Sequence, residues 1–334
     1  MRLACMTTFT FDRRDEAESG GWPARTTLNL VHDDPMVAAY RQNFPLPPES
    51  CSVLAAALGH VIDAPGSLIR MRVAYPMASS FGMEAQAALA AAAALEYFHT
   101  ASLIFDDLPC MDDASLRRGT ACVHLVYGEH EAILAALALI NRAYALAWKS
   151  LAGCAPAMQG HAMEYLERLL GLGGLLSGQS RDLNFIRGTA TSKATTLVAQ
   201  GKTVALIRLS LVWPALAAGA GERPLQLLER IALYWGLAYQ AADDLKDVVG
   251  NAAESGKTTA RDALLERPNL AIELGVPAAL ARLERLLTLG DGFFCALRRL
   301  VPALGFLEQL RSGLDADVRG LRQQVSMIHA GDGQ

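Results

Sequence analysis

Apolar and polar positions alternate at three- and four-residue intervals from residue 35 almost to residue 328, a period that predicts helices. The predicted helices cover 35–44, 49–63, 67–80, 84–106, 115–127, 129–153, 157–178, 192–218, 223–248, 258–265, 277–289 and 291–325. Between them lie "PLPPES", "AGCAP" and "GAGERP", whose Pro and Gly stop helices. No segment reads as a strand between turn signals. Several helices exceed 20 residues and must bury one another, so the expected architecture is all-α: a single bundle of long helices over residues 35–328. Residues 1–34 are polar and irregular, and read as a loosely ordered extension.

Composition narrows the reading. The chain has 334 residues, 52% hydrophobic and 7% aromatic, with the apolar excess carried by the helix formers Ala and Leu. A net charge of −4 gives no basic footprint for nucleic acid or an anionic membrane surface. The six cysteines, at 5, 51, 110, 122, 154 and 295, form no CxxC pair and read as reduced thiols of a cytoplasmic protein. The N-terminus meets charge too early for a secretory signal. The Ala-rich run 85–95 is too short to span a bilayer and reads as a buried bundle helix, so no stable membrane insertion is expected.

Charge crowding at two places changes the picture. "LIFDDLPCMDDASLRRG" (103–119) carries Asp106, Asp107, Asp112 and Asp113, then Arg117 and Arg118, directly after a very apolar helix. More than a hundred residues on, "GLAYQAADDLKDVVG" (236–250) carries Asp243, Asp244 and Asp247. Asp243 and Asp247 are one helical turn apart on one face. Asp106 and Asp112 are six apart, a poor helical spacing that a bulge at Pro109 would correct. Taken singly, each cluster also reads as a helix end with solvated aspartates. Two of them in apolar surroundings, with cations close in sequence, suit Mg²⁺, which takes one or two carboxylates and completes its shell with phosphate and water oxygens. Such ions stabilise the charge of a departing diphosphate. His99 lies seven residues before Asp106, on the same side of a helix; alone it reads as a core histidine, as do His60, His124 and His130.

Five stretches in order carry a resemblance: "FHTASLIFDDLPCMDDASLRRG" (98–119), "GQSRDL" (178–183), "GKTVALIRLS" (201–210), "YQAADDLKDVVG" (239–250) and "ESGKTTARD" (254–262). In these the chain resembles the trans-type polyprenyl diphosphate synthases, the family of farnesyl and geranylgeranyl diphosphate synthases, over about residues 51 to 285. The resemblance implies the isoprenoid-synthase fold, with a central cavity between the two aspartate clusters. It implies Mg²⁺, about three ions around the bound diphosphate. The implied substrates are an allylic diphosphate, which ionises, and isopentenyl diphosphate, which the cation alkylates. By position, Asp106, Asp112 and Asp243 are the first-choice metal ligands, with Asp107 and Asp247 behind them. Arg117, Lys202, Gln240 and Lys257 would contact the allylic diphosphate, Arg70, His99 and Arg118 the isopentenyl diphosphate, and Thr203 the neighbourhood of the reacting carbon. Gln179 and Asp182 would orient neighbours. The family also implies a homodimer.

The pattern breaks before the first motif. Where the family carries a GGKRxRP-like stretch, this chain has "APGSLIRMRVAYP" (64–76), with Ser67 in place of Lys and only Arg70 retained. One lost cation costs on the order of 1.5–3 kcal/mol of diphosphate binding, which Arg72 is placed to offset. The departure leaves open a lyase or cyclase that needs no isopentenyl diphosphate, and a non-catalytic regulatory subunit. The resemblance also implies a product tunnel beside the helix before Asp106, where Ala101 and Ser102 are small and Phe98 is the next candidate floor. On that implication Ala101 points to a twenty-carbon product, geranylgeranyl diphosphate, ahead of the fifteen-carbon farnesyl diphosphate.

Overall fold

The computed structural model describes residues 34–44, 52–185, 192–253 and 267–331. The expected extension (apart from Asp34), the helix at 258–265 and Lys257 lie outside them. The chain runs through α1 (Pro35–Gln42), α2 (Ser52–Ile62), α3 (Ile69–Ser80) and α4 (Ala85–Asp106) to a short hairpin. Then come α5 (Val123–Tyr127), α6 (Glu129–Ser150), α7 (Pro156–Leu170), α8 (Leu175–Leu183) and α9 (Ser192–Ala199). A π-turn (Gln200–Val204) leads into α10 (Ala205–Leu211), α11 (Trp213–Ala217) and the long α12 (Glu222–Ala253). The described chain ends with α13 (Leu270–Leu274), α14 (Val276–Leu300), a 3₁₀ turn (Pro302–Phe306) and α15 (Leu307–Gly331).

α4 is the axis. Glu84 caps it by accepting from the amides of Gln86 and Ala87 at 2.9 and 3.1 Å. Ala90 to Ala94 are all buried, because side chains this small let α3 and α6 approach closely. α4 and α6 are each long and apolar enough to cross a membrane by length and composition; the apolar windows of the two are 72% and 44% buried within the bundle.

The departures from the predicted elements have physical causes. The helix expected over 115–127 is a two-stranded hairpin, β1 (Leu116–Arg117) and β2 (Thr120–Ala121), followed by one short helix. Arg118 and Gly119 both take positive φ, 53° and 80°, the demand of a two-residue hairpin loop. The helix expected over 157–178 breaks at Gly171, and 192–218 passes through the π-turn and is interrupted at Val212, just before Pro214. The break expected at Gly290 does not occur: α14 runs through it, and the chain turns at Val301–Pro302 instead. Gly290 serves packing, since a Cβ there would lie 2.4 Å from the Trp235 indole. That indole is buried and donates to Asp291 at 3.1 Å.

Candidate active site

α4, α8, the π-turn, α10 and α12 enclose a cavity of about 820 Å³. Asp106, Asp112 and Asp243 all line it, so the two acidic clusters meet at one hollow. No bulge in a helix returns Asp112 to Asp106. α4 ends, and a compact turn does it: the Asp112 amide donates to the Asp106 carbonyl at 2.9 Å and the Asp113 amide to Leu108 at 3.1 Å. Asp107, expected as a metal ligand, does not line this cavity. It is buried behind it and accepts from Arg117 through Nε at 2.9 Å and through Nη2. The reason is helical: neighbouring residues at the end of α4 point about 100° apart, so one aspartate faces the hollow and the next faces the scaffold.

The opposite wall depends on two glycines. A Cβ on Gly178 would lie 2.3 Å from the Lys202 amide nitrogen, and one on Gly201 would lie 2.6 Å from Gly178 Cα. α8 and the π-turn therefore cross backbone on backbone. The π-turn adds a residue to the helix, a distortion frequent at functional sites. The crossing sets Lys202 Nζ 2.6 Å from the buried Asp182, and Gln179 donates to Asp106 at 2.7 Å. Gln179 and Asp182 thus orient neighbours. Burial pulls Lys202 down, but Asp182 and Asp106 outweigh it and raise its pKa, so the ammonium stays charged.

On α12 the same division of labour recurs. Asp243 and Asp244 both line the cavity, but the Asp244 carboxylate is buried and taken up by hydrogen bonds, accepting from Gln240 Nε2 at 2.7 Å and the Leu270 amide at 2.8 Å. Gln240 in turn accepts from Thr203 at 2.5 Å, so both line the wall in fixed orientation. Asp247 is one turn beyond Asp243 and is not among the cavity-lining residues. Burial pushes Asp106 up to about 6 against the pull of Lys202, with Asp112 adding to the rise. Asp243 is raised by burial, with Lys246 opposing and Asp247 and Asp317 reinforcing.

Arg267 was missed by sequence reasoning. It lines the cavity and donates to Asp112 at 3.0 Å and to the Met111 carbonyl at 3.3 Å. Its partner is 155 residues away, and no spacing signals such a pair.

Arg70 and His99 line the cavity. Burial, then the charges of Arg70, Arg118 and Arg117, hold the His99 pKa well below the usual imidazole range, and its buried Nδ1 has no hydrogen-bond partner. Arg118 does not reach this cavity. The hairpin loop turns it outward, with Nη1 3.3 Å from the Ala64 carbonyl, and only its charge is felt at His99 and Arg70. Arg72 does not offset Ser67 either: it is tied to Asp34 and to the Ser67 carbonyl at 2.9 Å.

At the apolar end, Phe98 and Ser102 line the cavity, with Phe98 edge-on to Tyr144 at 4.9 Å between ring centres. Ala101 does not line it. It is fully buried, so the tunnel argument belongs to Ser102 and Phe98.

The donors fit Mg²⁺. Among the described residues, no three His, Cys, Asp or Glu side chains close on one point, so the chain offers no ready-made cage. It offers single carboxylates around a hollow, with Asp106 raised to about 6 by burial in spite of Lys202. That is the donor set of an ion that takes one or two carboxylates and completes its octahedron with phosphate and water oxygens.

The model of the family described as Polyprenyl synthetase matches residues 51–287. The chain belongs to this family. Among family members, it is 35% identical to the geranylgeranyl diphosphate synthase of Pantoea ananas over 241 residues, 72% of this chain and 78% of that one. It is 36% identical to the farnesyl diphosphate synthase of Escherichia coli (strain K12) over 216 residues, 64% and 72% of the two chains. Against the chloroplastic geranylgeranyl pyrophosphate synthase of Capsicum annuum it is 34% identical over 229 residues, 68% of this chain, and spans only 62% of that relative's length. The fold matches an FPP/GFPP synthase from Zymomonas mobilis with a TM-score of 0.69 at 25% identity, covering 85% of this chain and 94% of that one. A Helicobacter pylori geranyltransferase, solved with magnesium and isoprenyl diphosphate, matches with a TM-score of 0.67 at 26% identity over 87% and 98%. The polyprenyl synthetase chain described here therefore has the isoprenoid-synthase fold, as its motifs implied.

Proposed function

We propose that this chain is a prenyltransferase that condenses an allylic diphosphate with isopentenyl diphosphate, giving a longer trans-prenyl diphosphate. The observation that carries this is the meeting of Asp106, Asp112 and Asp243 at one cavity whose far end is apolar. Asp106, Asp112 and Asp243 would hold Mg²⁺, and the bound ions supply positive charge to the departing diphosphate. Lys202, held by Asp182, and the cavity face of Arg117 add fixed cations on the same side. As the C1–O bond of the allylic diphosphate breaks, positive charge develops at C1. Thr203, which lines the cavity and donates to Gln240, leaves its hydroxyl oxygen free to accept near that carbon. Arg70 and neutral His99 anchor the diphosphate of the isopentenyl partner, whose double bond forms the new C–C bond to C1; a proton then leaves its C2 for the released diphosphate. With Arg118 and Arg72 directed elsewhere, retention of Arg70 and His99 on the wall still favours a second diphosphate over a cyclase.

The twenty-carbon product is favoured over the fifteen-carbon one, because Ser102 leaves the wall open as far as Phe98 and Tyr144. Incubation with Mg²⁺ and farnesyl diphosphate, with and without isopentenyl diphosphate, tests the reading. Product only with both substrates is expected. Hydrocarbon or alcohol without isopentenyl diphosphate would replace it with a lyase.

The homodimer belongs to the same proposal. Between Glu131 and Lys149 the exposed face of α6 carries Ile133, Leu134, Leu137, Tyr144 and Trp148; the one charged residue of that stretch, Arg142, is half-buried and donates to the Asn43 carbonyl at 2.6 Å. With Leu125, Val126, Leu172 and Leu176 it offers apolar area on the order of 1,000 Å², near the ~800 Å² per partner of a standard interface. α6 has Glu129 and Glu131 at one end and Lys149 at the other, so an antiparallel second copy brings opposite charges together. Light scattering is expected to show a dimer, and Trp148→Glu a monomer.

A further inference from the structure

The C-terminal helix α15 lies beyond the family match, which ends at residue 287, yet it packs along the α12 helix that carries the second acidic cluster. Its buried stripe is Leu307, Leu310, Leu314, Val318 and Leu321, the spacing of a core-facing helix. Asp317 interrupts that stripe, with its side chain only 4% exposed. A carboxylate at a core position is costly unless paired, and well-packed apolar residues often serve stability as well or better. Asp317 Oδ1 lies 2.9 Å from Lys246 Nζ, while its Oδ2 is enclosed without a hydrogen-bond partner.

Lys246 sits inside the acidic motif itself, three residues after Asp243 and one before Asp247. On a helix the i, i+3 relation brings Lys246 within reach of Asp243, and four methylenes let its ammonium turn either way. Two sets of carboxylates therefore compete for one cation: Asp317 from α15, and the motif's own aspartates. Three oppositely signed influences converge on Asp243, with Lys246 favouring its anion and Asp247 and Asp317 opposing it.

We propose that Asp317 is a positioning residue: it draws the Lys246 ammonium into the α12–α15 interface and so keeps Asp243 available to divalent cations. The inference rests on the reading of Asp243 as a cation ligand. Released from Asp317, the ammonium folds back over Asp243 and places a fixed monovalent charge where a divalent ion must bind.

The test is Mn²⁺ binding to the full chain in the presence of inorganic pyrophosphate, followed by electron paramagnetic resonance, with melting temperature recorded in parallel. Asp317→Leu is expected to weaken Mn²⁺ binding about tenfold, and Lys246→Met/Asp317→Leu to restore it to within about threefold of wild type, since the competitor is then gone. Asp317→Asn, closest in shape, is expected to shift binding in the same direction should the leucine variant not fold. Unchanged Mn²⁺ binding in the folded Asp317 variant overturns the inference, and so does a double variant as weak as the single one. Wild-type protein that binds no Mn²⁺ with pyrophosphate removes the cation site itself, and this role with it.

Discussion

The end of α4 and the middle of α12 solve one problem in two ways. Each presents adjacent aspartates, Asp106–Asp107 and Asp243–Asp244. In each, the first lines the cavity and the second is buried with its carboxylate held in hydrogen bonds, by Arg117 in one case and by Gln240 and the Leu270 amide in the other. Asp244, unlike Asp107, still borders the hollow. On α12 the helix continues and both aspartates border the hollow, so the hydrogen bonds of Asp244 distinguish the pair. At α4 the helix stops, and a turn held by backbone bonds brings Asp112 back to the hollow. An acidic motif thus mixes ligands with scaffold, and identical residue types adjacent along the chain have different work.

Several substitutions sharpen or break that comparison. The largest effect is expected where the cavity-facing member is lost: Asp106→Asn or Asp243→Asn should lower turnover on the order of 10³-fold, since charge stabilisation of the leaving group is removed. A loss below tenfold in steady-state rate would end the distinction between ligand and scaffold. Asp244→Ala should act on the fold instead. It strands the buried Leu270 amide and the Gln240 side chain, at a cost of roughly 2–4 kcal/mol, visible as a lower denaturation midpoint.

Next comes the tunnel. Ser102→Tyr puts a ring into the cavity and should shift the product spectrum toward shorter chains. Ala101→Tyr forces the same ring into a filled core and should cost about 1–3 kcal/mol of stability. Chromatography of the products separates the two; a shortened product from the Ala101 variant alone would reverse the assignment.

The smallest effect is in the pH dependence of the metal-free protein. Asp106 is raised from its ordinary 3.8 to about 6 in the fold. Its protonated form therefore favours folding: that contribution is complete below 3.8 and is lost as pH rises through about 6. Asp106→Asn should make thermal stability less sensitive to pH between 5 and 7.5, and raise it at the upper end. Mg²⁺ needs the anion, so the wild-type requirement for the metal should grow as pH falls through that same range. A melting curve equally pH-sensitive in the variant would show that Asp106 is not the group responsible.

Much of this architecture could be read from periodicity. α4, α6 and α12 were legible because an apolar stripe over six turns admits no other element. The fold class followed from having only such stripes. Boundaries were misread where a single residue answers to a distant neighbour: Gly290 accommodates the Trp235 ring instead of ending a helix, and Arg118–Gly119 form a hairpin loop inside a stretch patterned like a helix. Of the site, the aspartates and Lys202 were visible as motifs. The Arg267–Asp112 contact, the outward turn of Arg118 and the engagement of Arg72 with Asp34 were not.

The sequence by itself determined the helices, the family and the residue types that meet a diphosphate, because these depend on local spacing and on chemistry carried by each side chain. Only the tertiary structure decided which aspartate of each pair is locked in hydrogen bonds, which cation guards which anion and where the apolar end is closed. Those are relations between helix faces brought together from distant parts of the chain, and orientation across a packed interface is a property no stretch of residues holds alone.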